Sequence, residues 1–428
     1  MAYFTLEALP ARYGDCLLLH YGDEAKPGLM LIDGGPGKVW EKFLEPRLQA
    51  LSAARGPGFK INLMMVSHID DDHVVGLVAF TGAWKAAKQA GKAWPYPVRE
   101  VWHNSFERIS NRKDINAVTA SVTASAGATS VDEIDLEEHG IENTDEARAG
   151  LKVLASVAKG KALRDDLEAL NVPTNTGFDG HLVRPGAGPS VPYKLGAELT
   201  LHIAAPLAKQ LQDLQEEFAQ ELKEDSALAA YTDGSVPNLS SIAALARFRD
   251  KTILLTGDAR GDFLREGLKA EGLLDANGKL HVDIFKLPHH GSDRNIDIDF
   301  FQDVTADHYV ASADGTFINP DRPTLEMLID ARPKDARYTI HLTYPLAAID
   351  EQRRKEWEAE RESELKKKAK KPPEKQASAK VREEWDEAVH GLGSLIAAKQ
   401  AEGYAFKLAA PEAVGTGARI DLLDPLPV

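Results

Sequence analysis

Short apolar runs closed by glycine, aspartate or histidine recur along this chain, and they predict most of its strands. Residues 3–9 alternate apolar and polar, residues 16–21 are continuously apolar, and residues 29–32 form a third run closed by Asp33-Gly34-Gly35. Gly14-Asp15 and Lys26-Pro27-Gly28 are the turns between them. Residues 40–54 carry helical spacing. Residues 61–66 read as a buried strand, 74–89 as a helix and 98–102 as another strand. The pattern returns at 199–204. Residues 242–248 and 252–255 then form a hairpin across Arg249-Asp250-Lys251. Strands at 284–287, 307–312 and 338–344 alternate with helices at 262–270 and 323–331. Strands alternating with helices in two separate stretches predict an α/β protein built in two halves.

Between the halves the pattern changes. Residues 117–129 are Ala, Ser, Thr and Val without a period, 131–142 are acidic, and 144–170 have helical spacing. Residues 171–189 are rich in Gly, Pro and Asn, and 208–224 read as an acidic amphipathic helix. After 347 the chain is charge-dense, with helices expected over 349–371 and 381–402 and a closing hairpin of 404–408 with 418–423. The organisation expected is a first core half (1–106), an insertion able to act as a lid (107–197), a second core half (198–346) and a charged helical C-terminal extension (347–428).

Composition narrows the class. Hydrophobic residues make up 43% of the 428, enough for a large core, and no run approaches a membrane span. No basic-then-apolar leader opens the chain, so the expected compartment is the cytoplasm, with no membrane partner. The formal net charge is −15, which opposes long-range attraction to nucleic acid. Lys366-Lys367-Lys368-Ala369-Lys370-Lys371 is the one strongly basic run, read either as a solvated helix end or as a local clamp for a phosphate backbone. The single cysteine, Cys16, excludes an internal disulfide and a cysteine-based metal site.

Candidate chemistry sits at three strand ends. Ser67-His68-Ile69-Asp70-Asp71-Asp72-His73 places imidazoles and carboxylates on one strand-to-helix turn. Thr256-Gly257-Asp258 closes a second strand, and Pro288-His289-His290-Gly291-Ser292 a third. Imidazole nitrogen and carboxylate oxygen together suit Zn, Mn or Fe(II). Each stretch alone is also what an acidic or histidine-bearing surface turn looks like. Their convergence at strand ends, where open sheets place their sites, favours a dinuclear metal centre.

These stretches resemble the metallo-β-lactamase-fold hydrolases, whose signature is His-x-His-x-Asp-His. They are most similar to the branch containing the nuclease domain of ComEC-type competence proteins, where Ser-His-x-Asp-x-Asp-His is followed by Leu-x-Gly-Asp and Pro-His-His-Gly-Ser. Gly14-Asp15-Cys16 and Asp33-Gly34-Gly35 also fit, as does Asn238-Leu239-Ser240-Ser241 before the hairpin. The resemblance implies a four-layer αββα sandwich. It assigns His68 and Asp70 to one metal and Asp72 and His73 to the other, with Asp258 bridging and one of His289 and His290 completing the second. Asp33 is expected to orient a ligand, unless it only caps a turn. His103, at a strand end, is expected as a further ligand or a substrate contact, or else as an ordinary loop residue. Asn104, Asn175, Asp179, His181 and Ser292 are candidates for substrate contact. The implied cofactors are two divalent ions, Zn or Mn. Asp70 replaces the usual second histidine, and the harder oxygen favours Mn and phosphodiesters over β-lactams. The implied activity is a metal-dependent phosphodiesterase or nuclease in which a hydroxide bridging the ions attacks, with Asp72 and Asp258 as catalytic residues. An ester, thioester or lactone hydrolase and a non-catalytic binding member are the alternatives.

Overall fold

The computed structural model describes residues 1–105, 145–178, 182–186, 192–196, 198–212, 240–376 and 378–428, with the backbone alone over 145–155. Two sheets face each other. The first holds six strands in the order β14-β1-β2-β3-β4-β5 and the second eight, in the order β13-β12-β11-β10-β9-β8-β7-β6. In the first sheet β1 (Ala2–Ala8), β2 (Leu17–Asp23) and β3 (Pro27–Ile32) run antiparallel, and β3, β4 (Leu63–Val66) and β5 (Val101–His103) run parallel. In the second, β6 (Tyr193–Leu195), β7 (Leu199–Ala205), β8 (Ala243–Phe248) and β9 (Lys251–Leu255) are antiparallel neighbours. From β9 onward β10 (Leu280–Lys286), β11 (Val304–Ala311), β12 (Thr339–Leu342) and β13 (Lys407–Ala409) are parallel.

Alternation along the strands makes the layers. Leu17 and Leu19 of β2 join Phe4, Met65, Leu201, Phe248 and Ile253 in the core between the sheets, while Leu18 turns outward. Outside the first sheet it meets α1 (Glu45–Arg55), α2 (Asp71–Gln89) and Leu163 and Leu167 of the helix Asp145–Leu170. Outside the second sheet Leu254, Phe285, Tyr309 and Ile340 meet the helices Gly261–Ala270, Ile298–Asp303, Arg322–Asp330 and Leu392–Ala401. Both faces of each sheet are thus buried, as runs such as Leu17-Leu18-Leu19 require. The result is an αββα sandwich with an inserted helix and a helical C-terminal part.

Three expectations change. Helix α2 begins at Asp71 rather than at residue 74, so Asp72 and His73 occupy its first turn. The helix expected over 381–402 is interrupted: Glu387–His390 is a single turn, and a new helix starts at Leu392. Gly391 and Gly393 weaken continuity there, and Asp350 accepts the Leu392 and Gly393 N–H groups at 2.7 and 2.8 Å, fixing the new start. The closing hairpin does not form. β13 adds to β12 in one sheet and β14 (Ala418–Asp421) to β1 in the other, because each sheet offers an open edge with its own N–H and C=O row. Of the helix expected over 208–224, residues 213–224 lie outside the described residues, as do 107–144 of the insertion.

Candidate metal centre

Close packing of backbone builds the motif turn. Asp33 follows β3 with φ 57°, and its carboxylate accepts the Ser67 N–H at 2.7 Å and the Ser67 hydroxyl at 2.6 Å. A Cβ on Gly34 would come within 2.5 Å of Leu77 N, and one on Gly76 within 1.9 Å of Gly34 O. Only glycines let α2 approach the end of β3. Asp70 is the N-cap of α2, yet its carboxylate accepts no hydrogen bond from the helix. Instead Asp70 Oδ2 lies 3.6 Å from His68 Nε2. Asp71 turns away and pairs with Lys159 of the inserted helix.

The second sheet supplies the opposite side. Asp258 follows β9 through Gly257, whose φ is 50° and where a Cβ would lie 2.7 Å from Ser67 Cβ. Glycine is therefore required both by the left-handed backbone and by the approach of the two halves. His289 and His290 follow β10 in left-handed conformations, φ 49° and 57°, which are costly for residues with a Cβ. That turn sends the two rings to different sides of Asp258.

Four imidazole Nε2 atoms surround the Asp258 carboxylate. His73 and His290 lie 3.2 and 3.7 Å from Oδ1, and His68 and His289 lie 3.7 and 3.6 Å from Oδ2. Asp72 Oδ2 completes the Oδ1 side, 3.1 Å from His290 Nε2 and 3.7 Å from His73 Nε2. Three groups among the described residues have spacing suited to a cation: Asp72, His73, Asp258 and His290; His68, Asp70 and Asp72; and Asp15, Asp33 and His73, the last away from the Asp258 carboxylate on the Nδ1 side of His73. Donors about 2.1 Å from one ion sit about 3–3.5 Å from each other, close to these separations.

The Nδ1 atoms are engaged from behind. His73 Nδ1 donates to Asp33 at 2.8 Å, and His289 Nδ1 to Asn295 Oδ1 at 2.8 Å. The Asn295 amide is oriented by its own donation to Asp258 O at 2.9 Å. Ser67 and Ser241 Oγ each lie 3.1 Å from His68 Nδ1. Because Ser67 gives its proton to Asp33, its oxygen accepts from His68. This pattern leaves the Nε2 lone pairs facing the centre, the tautomer a metal requires.

Three further observations fit cations. His68 Nε2 and Asp258 Oδ1 are buried without hydrogen-bond partners. His73 Nε2 and His290 Nε2 are 3.2 Å apart, where two lone pairs repel unless a positive charge stands between them. Burial opposes charge on His73, but Asp258, Asp72 and Asp33 outweigh it and hold the ring well above the ordinary imidazole range. Burial likewise opposes charge on His290, and Asp258 and Asp15 overcome it, lifting the ring to about 9. The converse holds for Asp258, where burial favours the neutral acid and the imidazoles keep it far below the usual carboxylate value.

Other candidates take different places. His103 is buried at the end of β5 in register with Val66, but belongs to none of the cation-suited groups among the described residues. Asn104 bonds the Val183 backbone at 2.8 and 2.9 Å, and Asn175 the His103 backbone at 2.9 and 3.0 Å. Both amides fasten the inserted segment to β5. Ser292 Oγ lies 3.4 Å from Asp321 Oδ2. Asp179 and His181 are outside the described residues. Sequence reasoning did not single out Asn295 or Ser312; a polar residue soon after a ligand strand was the only available signal.

Residues 11–186 match the family described as Metallo-beta-lactamase superfamily. The match includes the His68–His73 turn and ends before Asp258, His289 and His290, which the geometry alone adds. No curated protein matches the chain. The crystal structure of the metallo-beta-lactamase fold protein YhfI from Bacillus subtilis is similar over 98% of this chain and 100% of that one, at 10% identity and a TM-score of 0.35, too slight a likeness to argue from. Residues 11–186 are thus similar to the metallo-β-lactamase superfamily, and the chain carries residue groups able to hold metal.

Proposed function

We propose, taking the similarity to the metallo-β-lactamase superfamily as premise, that the protein is a two-metal phosphodiesterase or nuclease. The observation that carries this reading is the donor set: Asp70, Asp72 and Asp258 face the same centre as the four imidazoles. Oxygen donors favour hard ions such as Mn, with Zn the alternative, and such ions match phosphoryl oxygens. When bound, the ions supply Lewis acidity and lower the pKa of water. The chain's own residues do the rest. Asp258 is 2% exposed and holds both sides of the centre in register. Asp72 is about one-fifth exposed, so it reaches both the centre and solvent, where a substrate arrives. Asp72 accordingly serves as the carboxylate that positions the attacking water, and Asp258 as the shared ligand.

The test is to strip the protein, reload it with Mn or Zn, and screen bis-p-nitrophenyl phosphate, cyclic dinucleotides and single-stranded oligonucleotides beside an acetate ester, a thioester and a lactone. Phosphodiester turnover lost in Asp258→Ala supports the reading. Turnover confined to the carbonyl substrates, or absent with both metals, overturns it.

A further inference from the structure

Asp15 is buried in the turn between β1 and β2, grouped with Asp33 and His73 but outside the two groups that face the centre beside Asp258. Its placement is tightly enforced. Asp15 N donates to Asp72 O at 3.2 Å, and a Cβ on Gly14 would lie 1.9 Å from that same oxygen. Oδ1 accepts the Ser312 hydroxyl and lies 3.4 Å from His290 Nδ1. Oδ2 is 2.9 Å from Lys286 Nζ. Lys286 is 1% exposed, ends β10 just before the His289-His290 turn, and donates also to Leu287 O at 2.8 Å.

A buried ion pair is a poor device for stability alone, since an apolar pair of similar volume is often as good. This pair has another use in its geometry. With its proton on Asp15, Ser312 presents a lone pair to His290 Nδ1 at 3.4 Å. Asp15 and Ser312 together therefore face the back of His290 as Asp33 faces the back of His73. Lys286 compensates the extra carboxylate, so the acceptor adds orientation without adding net negative charge beside Asp72 and Asp258.

We propose that Asp15 is the positioning residue of His290, reaching from the first sheet to a histidine of the second, with Lys286 as its counter-charge and Ser312 as its bridge. This rests on reading Asp72, His73, Asp258 and His290 as one metal site, and it does not depend on the substrate. Outer partners of metal-bound histidines typically contribute about 10–100-fold in affinity.

The experiment measures dissociation constants for Zn and Co by competition with a chromophoric chelator, with thermal denaturation alongside and no substrate present. Asp15→Asn and Lys286→Met each strand a buried partner, so both should lose thermal stability. The double variant Asp15→Asn/Lys286→Met should regain most of it and still bind one of two ions roughly tenfold or more weakly, with an altered visible Co spectrum. Ser312→Ala keeps the ion pair, so it should fold normally and weaken the same ion. Wild-type affinities for both ions in a folded double variant or in Ser312→Ala would show Asp15 to be structural only and overturn the proposal. Wild-type protein that binds no ion would overturn the metal site itself, whereas an inactive protein with these affinity changes would leave the proposal standing and remove only the proposed activity.

Discussion

The two sides of Asp258 look alike in ligand type and differ in what stands behind them. On the Oδ1 side, the His73 ring is backed by Asp33 at 2.8 Å and the His290 ring faces Asp15 at 3.4 Å. On the Oδ2 side, the His68 ring meets Ser67 and Ser241 hydroxyls and the His289 ring meets the Asn295 amide. A carboxylate behind an imidazole makes its other nitrogen a stronger donor than a neutral acceptor does. The Oδ1 side is also more enclosed: His290 is 1% exposed against 26% for His289. One shared carboxylate thus joins a tight, electron-rich pocket to a looser one open to solvent.

The largest effect expected is from Asp258→Ala, which removes the oxygen common to both sides. Both ions should be lost, and phosphodiester turnover should fall by about a thousandfold or more. Metal analysis with circular dichroism checks this, and an intact fold with two ions retained would end the comparison. Next come His290→Ala and His289→Ala. Each should lose one ion, and the ion lost from His290→Ala should be the one that wild-type protein holds more tightly. Equal losses in a chelator titration would show that the backing groups do not matter. A smaller effect is expected from Asp70→His, which replaces oxygen by nitrogen only on the looser side. The rate ratio of Mn to Zn should shift towards Zn, and an unchanged ratio would mean that Asp70 is not a ligand.

The smallest effect concerns a histidine outside the centre. His20 is buried, its Nε2 3.0 Å from Glu7 and its Nδ1 2.9 Å from the Arg55 guanidinium. Since guanidinium only donates, Nδ1 must accept, and the ring is neutral. Burial is the main cause that lowers it from 6.5 to about 4, the reverse of His73 and His290. Unfolded chain takes the proton near 6.5 and folded protein only near 4, so unfolding takes up a proton between them. The stability that neutral His20 contributes is fully present above pH 6.5 and lost as pH falls towards 4, by roughly 3 kcal/mol at most. A denaturant titration across that range should show a shallower slope in His20→Gln; identical slopes would mean that His20 ionises in the fold.

The strands were legible because their apolar runs are local, and the candidate ligands could be named because each lies within a short motif. Of the partners behind them, only Asp33 was expected. Asp15, Ser241 and Ser312 reach their rings from other segments, and Asn295 from six residues beyond His289. The open choice between His289 and His290 had the same origin, since only the left-handed turn at both residues shows that the rings point to different sides. The final strands were misassigned to a hairpin because adjacency in sequence is the default for strand pairing, and here two free sheet edges compete for them.

The candidate ligands come from both sheets, His68, Asp70, Asp72 and His73 from one and Asp258, His289 and His290 from the other. An ion held between them would act as a clasp across the sandwich, and loading would be coupled to the stability of the fold. Free ion at a thousand times its dissociation constant adds about 4 kcal/mol to the folded state. Chelation would then remove that increment from the joint between the halves, and the ion supply around a newly made chain would set how firmly its two halves stay closed.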